Sequence, residues 1–387
     1  MMAVTAKKQE RTGSIQVRMV SNPQELQRVQ AFRYAVLVGD SGFDGDCVDH
    51  ARKTVCYPRD RTASHLYVLV DGRIAAVMRM LPGSAAASEA ELEAQYDLGE
   101  FQAFPNQALS FTDQLVVAKA YAASKIPSLL SAAAFKLSRN SGAMFDFTHT
   151  APALVGLYEK LGYRRYTDNF DDVDLGLQVP MILVMDDLDH LATLKSPFAG
   201  IAREFPIRRE AANWFRRSYP EACAHAAKSL RNEDRFWNYL TDRLNQNPLH
   251  GIPMFSGLDY REALRFLRNS TVLKLSPGDA LMRAGEVGNE MYVLLSGMVT
   301  VTAPDSDAVL ARFNRGAVLG EVAYLSTAPR TATVAALDDC EVLVMTQAIL
   351  KQLMDDTPEL AAKVLFNLSL ILCERLRTTN LIVQDMS

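Results

Sequence analysis

Residues 320–334 read GEVAYLSTAPRTATV, a run of small and apolar residues whose only charged side chains are Glu321 and Arg330. Charged side chains are rarely buried without a partner, so a run that otherwise looks ready for burial needs a polar group to receive both. Gly320 leads into a short helical turn, and the free backbone N–H groups and positive dipole end of such a turn suit an anion. Arg330, returning to the same place, adds a planar, charge-assisted donor for phosphate oxygens. Glu321 would repel phosphate if it pointed there. It can instead accept a hydrogen bond from a ribose hydroxyl.

The elements that must hold these residues lie on either side. From Gly251 the chain falls into short alternating segments: TVLKL, ALMRA, MYVLLSG, MVTVTA, AVLARF, ATVAAL and CEVLVM. Glycines at 278, 285, 288, 297, 316 and 320 punctuate them. Many short strands with glycine turns predict a small all-β barrel or roll. A long helical pattern over 347–381 follows. Its Leu365, Leu368, Leu372 and Leu376 line one face with Val364 and Ile371 beside them, a row that suits either capping the roll or pairing two copies. One phosphate plus one ribose 2′-hydroxyl, held inside a β-roll, describes a cyclic nucleotide.

Residues 251–380 resemble the cyclic-nucleotide-binding domain shared by catabolite activator proteins, cyclic-nucleotide-dependent kinases and gated channels. The phosphate-binding cassette of that family, F-G-E-x-A-x(5)-P-R-x-A-T-V, is met by Leu319-Gly320-Glu321-Val322-Ala323 and Pro329-Arg330-Thr331-Ala332-Thr333-Val334, with Leu319 replacing the leading aromatic. IPMFSGL, SPGDALMRAGEVGNEMYVLLSG and FNRGAVLGE extend the match. The resemblance implies that Arg330 pairs with the cyclic phosphate and that Glu321 holds the ribose 2′-hydroxyl. It also implies that N–H groups after Gly320, including those of Val322 and Ala323, touch the phosphate. Thr331 stands where the family often places a hydroxyl able to reach a guanine 2-amino group, but cyclic AMP binders carry hydroxyls there too, so cAMP and cGMP both stay open. The last helix corresponds to the family's lid and dimer helix. The chain stops at Ser387, soon after Leu381, so the helix-turn-helix of the family's transcription factors is not expected.

Upstream, residues 1–13 read as a tail, 14–199 as a mixed α/β domain and 200–250 as a helical connector. HLYVLVDGRIAAVMRML is a hairpin turning at Asp71-Gly72. ALSFTDQLVV, AMFDFTH and VPMILVM are strands, and 127–140 is a helix. Trp214, Phe236, Trp237 and Tyr239 in the connector suit packing anchors. The stretch APALVGLYEKLGYRRY (151–166) resembles the last block of the GNAT acyltransferase fold, with Tyr158 in the place of the tyrosine that protonates a departing thiolate. FRYAVLV, Asp46 with Asp49, YVLVDGRIAAVMRMLP and VPMILVM look like the autoinducer-synthase and N-acyl amino acid synthase branch of that fold. That likeness puts Arg33 and Arg79 on the active-site side and Asp46 and Asp49 near an acceptor amine. It also sets the thioester carbonyl against the strand around Leu115–Val117.

Two departures shape the expected chemistry. Ala122-Ala123-Ser124-Lys125-Ile126-Pro127 lacks the glycines that cradle coenzyme A pyrophosphate. An acyl chain on acyl carrier protein tolerates that loss, and Lys125 offers acyl-CoA a point charge instead. Where the branch reads E-x-x-R, this chain has Phe111 and Gln114. Asp113 is adjacent, but alternation points it to the other face unless a bulge intervenes.

The net charge of −4 and the lack of a dense Lys/Arg run argue against nucleic-acid binding. Five scattered cysteines fit a reduced cytoplasm, and six dispersed histidines predict no metal centre. The N-terminus has no signal-peptide pattern, and no window of about 18 apolar residues predicts a membrane span. G-x-S-x-G, Walker A and H-E-x-x-H motifs are missing. The expectation is an α+β protein: a cyclic-nucleotide-regulated N-acyltransferase that moves an acyl group from acyl carrier protein or acyl-CoA to a small amine or amino acid. The alternative is a non-catalytic nucleotide sensor with a degenerate acyltransferase fold.

Overall fold

Asp71 and Gly72, set between two apolar runs, take φ values of 50° and 78°, the pairing a two-residue hairpin turn requires. They join β2 (Ser64–Val70) to β3 (Arg73–Pro82), with β1 (Ile15–Met19) beside β2 and β4 (Leu109–Val117) beside β3, every pair antiparallel. Alternation along β2 sends its residues to two different cores. Tyr67 and Leu69 meet Val29 of α1 (Pro23–Tyr34), while Leu66 and Val68 meet Ile126, Leu130 and Ala134 of α2 (Ile126–Asn140).

This computed structural model describes residues 14–385 apart from Ser41, 87–89, Ala123, Ile207, 229–232, Asn269, 305–307 and Thr327. The expected tail, 1–13, lies outside the described residues. The chain divides into two compact units. The first comprises residues up to Glu89, Phe101–Asp146 and Pro197–Pro206, and it holds β1–β4 with α1 and α2.

The second comprises Ala90–Glu100, Phe147–Ser196 and Ile207–Ser387. There β7 (Gly176–Val184) pairs with β6 (Arg164–Arg165) on one side, and on the other with β5 (Phe145–Thr150), whose first two residues belong to the first unit. Helix α3 (Val155–Leu161) stops at Gly162, whose φ of 118° and whose lack of a Cβ, which would fall 2.5 Å from Leu191 Cδ2, both require glycine. Three helices follow: α4 (Glu210–Ser218), α5 (Pro220–Lys228) and α6 (Glu233–Leu244).

The roll consists of two four-stranded sheets. One runs in the order Thr271–Leu275 (β8), Cys340–Thr346 (β15), Glu290–Ser296 (β10), Val318–Leu319 (β13). The other runs Ala280–Met282 (β9), Thr333–Ala336 (β14), Met298–Thr302 (β11), Val309–Asn314 (β12). Met291, Val293, Leu295, Leu343 and Met345 of β10 and β15 form the centre of one core with Leu240 and Leu244 of α6 and with α7 (Tyr260–Leu267). Phe236, Trp237 and Tyr239 pack against that core. The architecture is α+β, with a C-terminal jelly-roll closed by a long helix. No helix among the described residues is long and apolar enough to cross a membrane.

The helical pattern expected over 347–381 is two helices, α9 (Gln347–Asp356) and α10 (Pro358–Asp385). Pro358 has no N–H to continue α9 and is well placed to begin α10. The leucine row divides as well. Val364 and Leu368 are buried in the roll core with Leu365 and Ile371 against it, whereas Leu376 is 63% exposed. Leu368→Ala is therefore expected to lower stability by about 2–5 kcal/mol, and Leu376→Ala to stay within about 0.5 kcal/mol. Denaturant unfolding of both variants distinguishes a helix that caps the roll along its whole length from one that caps it only at its N-terminal half.

Candidate functional site

β13 ends at Leu319, and after Gly320 a short helix, α8 (Glu321–Ser326), starts. Amides in a first helical turn have no intrahelical acceptor, and Val322 and Ala323 lie in that turn. Gly320 has φ 80°. A Cβ there would stand 2.7 Å from Arg330 Nη1, and one at Gly288 would stand 2.7 Å from Nη2. The two glycines thus admit the guanidinium against the backbone. Glu321 is 2% exposed and Arg330 4%, while Thr331 is exposed. The cassette is anchored through its main chain: Arg330 N–H donates to the Glu286 carbonyl and its own carbonyl accepts from Gly285 N–H, both at 2.8 Å.

Each charged residue of the cassette has a partner that the sequence reading missed. Arg330 Nη2 donates to Glu290 Oε1 at 2.8 Å, and Nη1 donates to the Glu290 carbonyl at 2.8 Å. Tyr292 hydroxyl donates to the same Oε1 at 2.9 Å, and its ring lies 5.8 Å from the guanidinium. Burial holds that phenol well above its ordinary pKa, so it is a neutral donor. At the other end Glu321 Oε1 accepts from Arg375 Nη1 at 2.6 Å. Arg375, on α10, also donates to the Val318 carbonyl and covers Phe313 at 5.0 Å. The available signals were thin: Glu290 is one acid at the start of an apolar strand, and Arg375 stands among other charges in CERLR.

The first unit carries a second charged cluster. The register of β3 and β4 pairs Val77 with Val116 and Arg79 with Asp113, so Met78 stands opposite both Gln114 and Leu115. Gln114 takes φ 51°. This β-bulge shifts the side-chain phase by one residue and turns Asp113 to the face of Arg79, reversing what plain alternation predicts. Arg79 Nε and Nη2 grip the two Asp113 oxygens at 2.7 Å each. Arg33 pairs with Asp60 at 2.6 Å, and Asp60 lies 3.5 Å from Arg79. His65 Nε2 meets the Asp60 carbonyl at 2.8 Å, with Arg33 Nη2 3.3 Å from its Nδ1. The Tyr57 ring lies 5.4 Å from both guanidinium groups. Two buried arginines balance two buried carboxylates, the condition under which such charges are tolerated.

Arg33 and Arg79, both expected on the active-site side, thus come together. Asp46 and Asp49 do not join them. Asp46 is exposed, and Asp49 caps the Arg52 N–H at 2.9 Å. Asp60 and His65 take the inner positions instead; YPRDRT reads as a surface turn, which hid Asp60. Leu115 and Val117 pack toward the core of α2 in the first unit. Tyr158 is buried on α3 in the second, edge-on to Tyr163 at 5.3 Å.

His65 carries a pH prediction. Burial, helped by Arg33, holds its imidazole below the ordinary histidine pKa against the opposing pull of Asp60. The unfolded chain then binds a proton that the folded chain refuses, so stability falls as pH drops below about 6.5. Chemical denaturation across that range should show a shallower fall for His65→Gln than for the wild type. Equal slopes would place the titration elsewhere.

The roll has known relatives. Residues 272–357 match the family model of the cyclic nucleotide-binding domain. A cyclic nucleotide-gated cation channel protein of Drosophila melanogaster is 36% identical over 104 residues, covering 24% of this chain and 16% of that protein. A cAMP-dependent protein kinase regulatory subunit of Mycosarcoma maydis is 32% identical over 105 residues, 26% of this chain and 20% of that one. A catabolite activator protein structure from Thermus thermophilus aligns at 26% identity and a TM-score of 0.32 over 35% of this chain and 62% of that one. The chain spans less than a quarter of the length of the two curated relatives. Residues 272–357 are therefore a cyclic nucleotide-binding domain.

Proposed function

We propose that this chain is an N-acyltransferase governed by a cyclic nucleotide, with the acyltransferase within residues 14–199, a helical connector at 200–250 and the sensor at 251–387. The observation that carries the sensor half is the burial of Glu321 and Arg330, with the Arg330 guanidinium set against Gly320. A cyclic phosphate fits the guanidinium and the amides of Val322 and Ala323. The ribose 2′-hydroxyl fits Glu321, and Thr331 stands toward the base, cAMP or cGMP.

In the acyltransferase half the support is the bulge in β4. It leaves Gln114 and Leu115 outside the regular register, and a backbone N–H released by such a bulge suits polarising a thioester carbonyl. In this reading the donor is acyl carrier protein or acyl-CoA and the acceptor a small amine or amino acid. Arg33 and Arg79 shape the acceptor side. Within the second unit, the segment after α3 is tied to the roll. Arg165 Nη1 donates to the Val272 carbonyl at 2.6 Å, Asn169 to the Lys274 carbonyl at 2.8 Å, and Arg283 pairs with Asp171. Since Gly285 and Glu286 also bind the Arg330 backbone, a shift of Arg330 would be transmitted to that segment. A coupling of about 1–3 kcal/mol would change activity roughly 5- to 150-fold.

A second reading, a nucleotide sensor without chemistry, is favoured by one observation: Asp60 and Asp113 are both already engaged by guanidinium groups, which leaves neither as a ready amine base. Two measurements test these readings. Calorimetric titration with cAMP and cGMP should show binding that Arg330→Ala weakens by about 100-fold or more. Single-turnover assays with acyl carrier protein and coenzyme A thioesters over an amine panel should then yield acylated product at a rate that the nucleotide changes. Intact nucleotide binding with no product supports the sensor.

A further inference from the structure

We propose that Glu290 is a built-in competitor for the phosphate at Arg330, and that its carboxylate sets the nucleotide concentration at which the domain responds. This rests on the reading of the roll as a nucleotide site. The carboxylate engages Nη2 of the guanidinium at 2.8 Å, a donor that a phosphate oxygen would compete for. It is well satisfied there: Oε1 also accepts from the Tyr292 hydroxyl at 2.9 Å, and Oε2 accepts from Asn289 N–H at 3.1 Å. A ligand must replace this contact or approach a like charge beside it.

The two partners are held differently, and this determines which one yields. Arg330 is fixed through its own backbone by Gly285 and Glu286, and its side chain is 2% exposed. The Glu290 side chain is 13% exposed, at the end of β10. Gly288 borders both groups, since a Cβ there would lie 2.7 Å from Arg330 Nη2 and 3.0 Å from Glu290 Oε1. The carboxylate, as the more exposed partner, is the one that can turn outward. The same logic recurs at the ribose end, where Arg375 donates to Glu321 at 2.6 Å. Both anchors of the cassette are thus held by side chains of opposite charge from other elements, β10 and α10.

The test compares wild type with Glu290→Gln, which keeps the shape and hydrogen bonds but removes the charge, and with Glu290→Ala. Each is titrated calorimetrically with cAMP and with cGMP after its unfolding midpoint has been shown to match the wild type within a few degrees. Loss of the competing charge should tighten binding by about tenfold or more in E290Q. Binding by E290Q or E290A where the wild type is silent supports the proposal equally. Unchanged or weaker binding in both folded variants beside a wild type that binds overturns it and makes Glu290 a positioning partner. Silence in all three proteins overturns the nucleotide reading itself.

Discussion

A guanidinium that is almost wholly buried must be surrounded by acceptors, and the C-terminal roll is organised by that requirement. Removing water from Arg330 costs far more than any single hydrogen bond returns. Its surroundings are accordingly two carbonyls, one carboxylate and an aromatic face. Two glycines clear the way for the side chain, and a pair of main-chain bonds fixes its root. These provisions fix the guanidinium and its donors in one place. Preorganised donors of this kind bind charge without the cost of rearranging.

The first unit solves the same problem with the opposite outcome. Arg33 and Arg79 are buried as deeply, but their acceptors are two carboxylates from within the same fold, so the charges of the cluster balance. Removing one member would leave a buried charge unmatched, which is why such clusters are strongly destabilised when broken. The difference between the two sites lies in geometry. The Arg79 fork grips Asp113 bidentately, whereas Arg330 offers its Glu290 partner a single side-chain contact backed by a carbonyl. A single contact to a partly exposed partner is the easier one to exchange.

How much of this was legible depended on whether the signal was contiguous. The cassette could be read because its glycine, acid and arginine stand in one uninterrupted stretch with apolar spacers. The Asp71-Gly72 hairpin was visible for the same reason. Glu290 and Arg375 reach the site from elements far along the chain, and nothing in their own neighbourhoods distinguishes them from surface charges. The bulge at Gln114 was hidden because one unpaired residue leaves no mark on composition, and glutamine is an unusual residue to take a positive φ. Asp60 sits in a short turn rich in arginine, where exposure is the ordinary expectation. The break before α10 was missed because the leucine spacing carries on through Pro358 as if the helix were continuous.

That break bears on how the site can act on the rest of the second unit. A proline between α9 and α10 separates a helix packed on the roll from one whose first half is packed and whose later turns are exposed. Arg375 lies at that transition and is the point where α10 touches the cassette, through Glu321 and the Val318 carbonyl. A group that draws Glu321 toward a hydroxyl must share or displace that guanidinium. Glu321 thus joins the cassette to α10 through one carboxylate, at the point where the helix passes from buried to exposed.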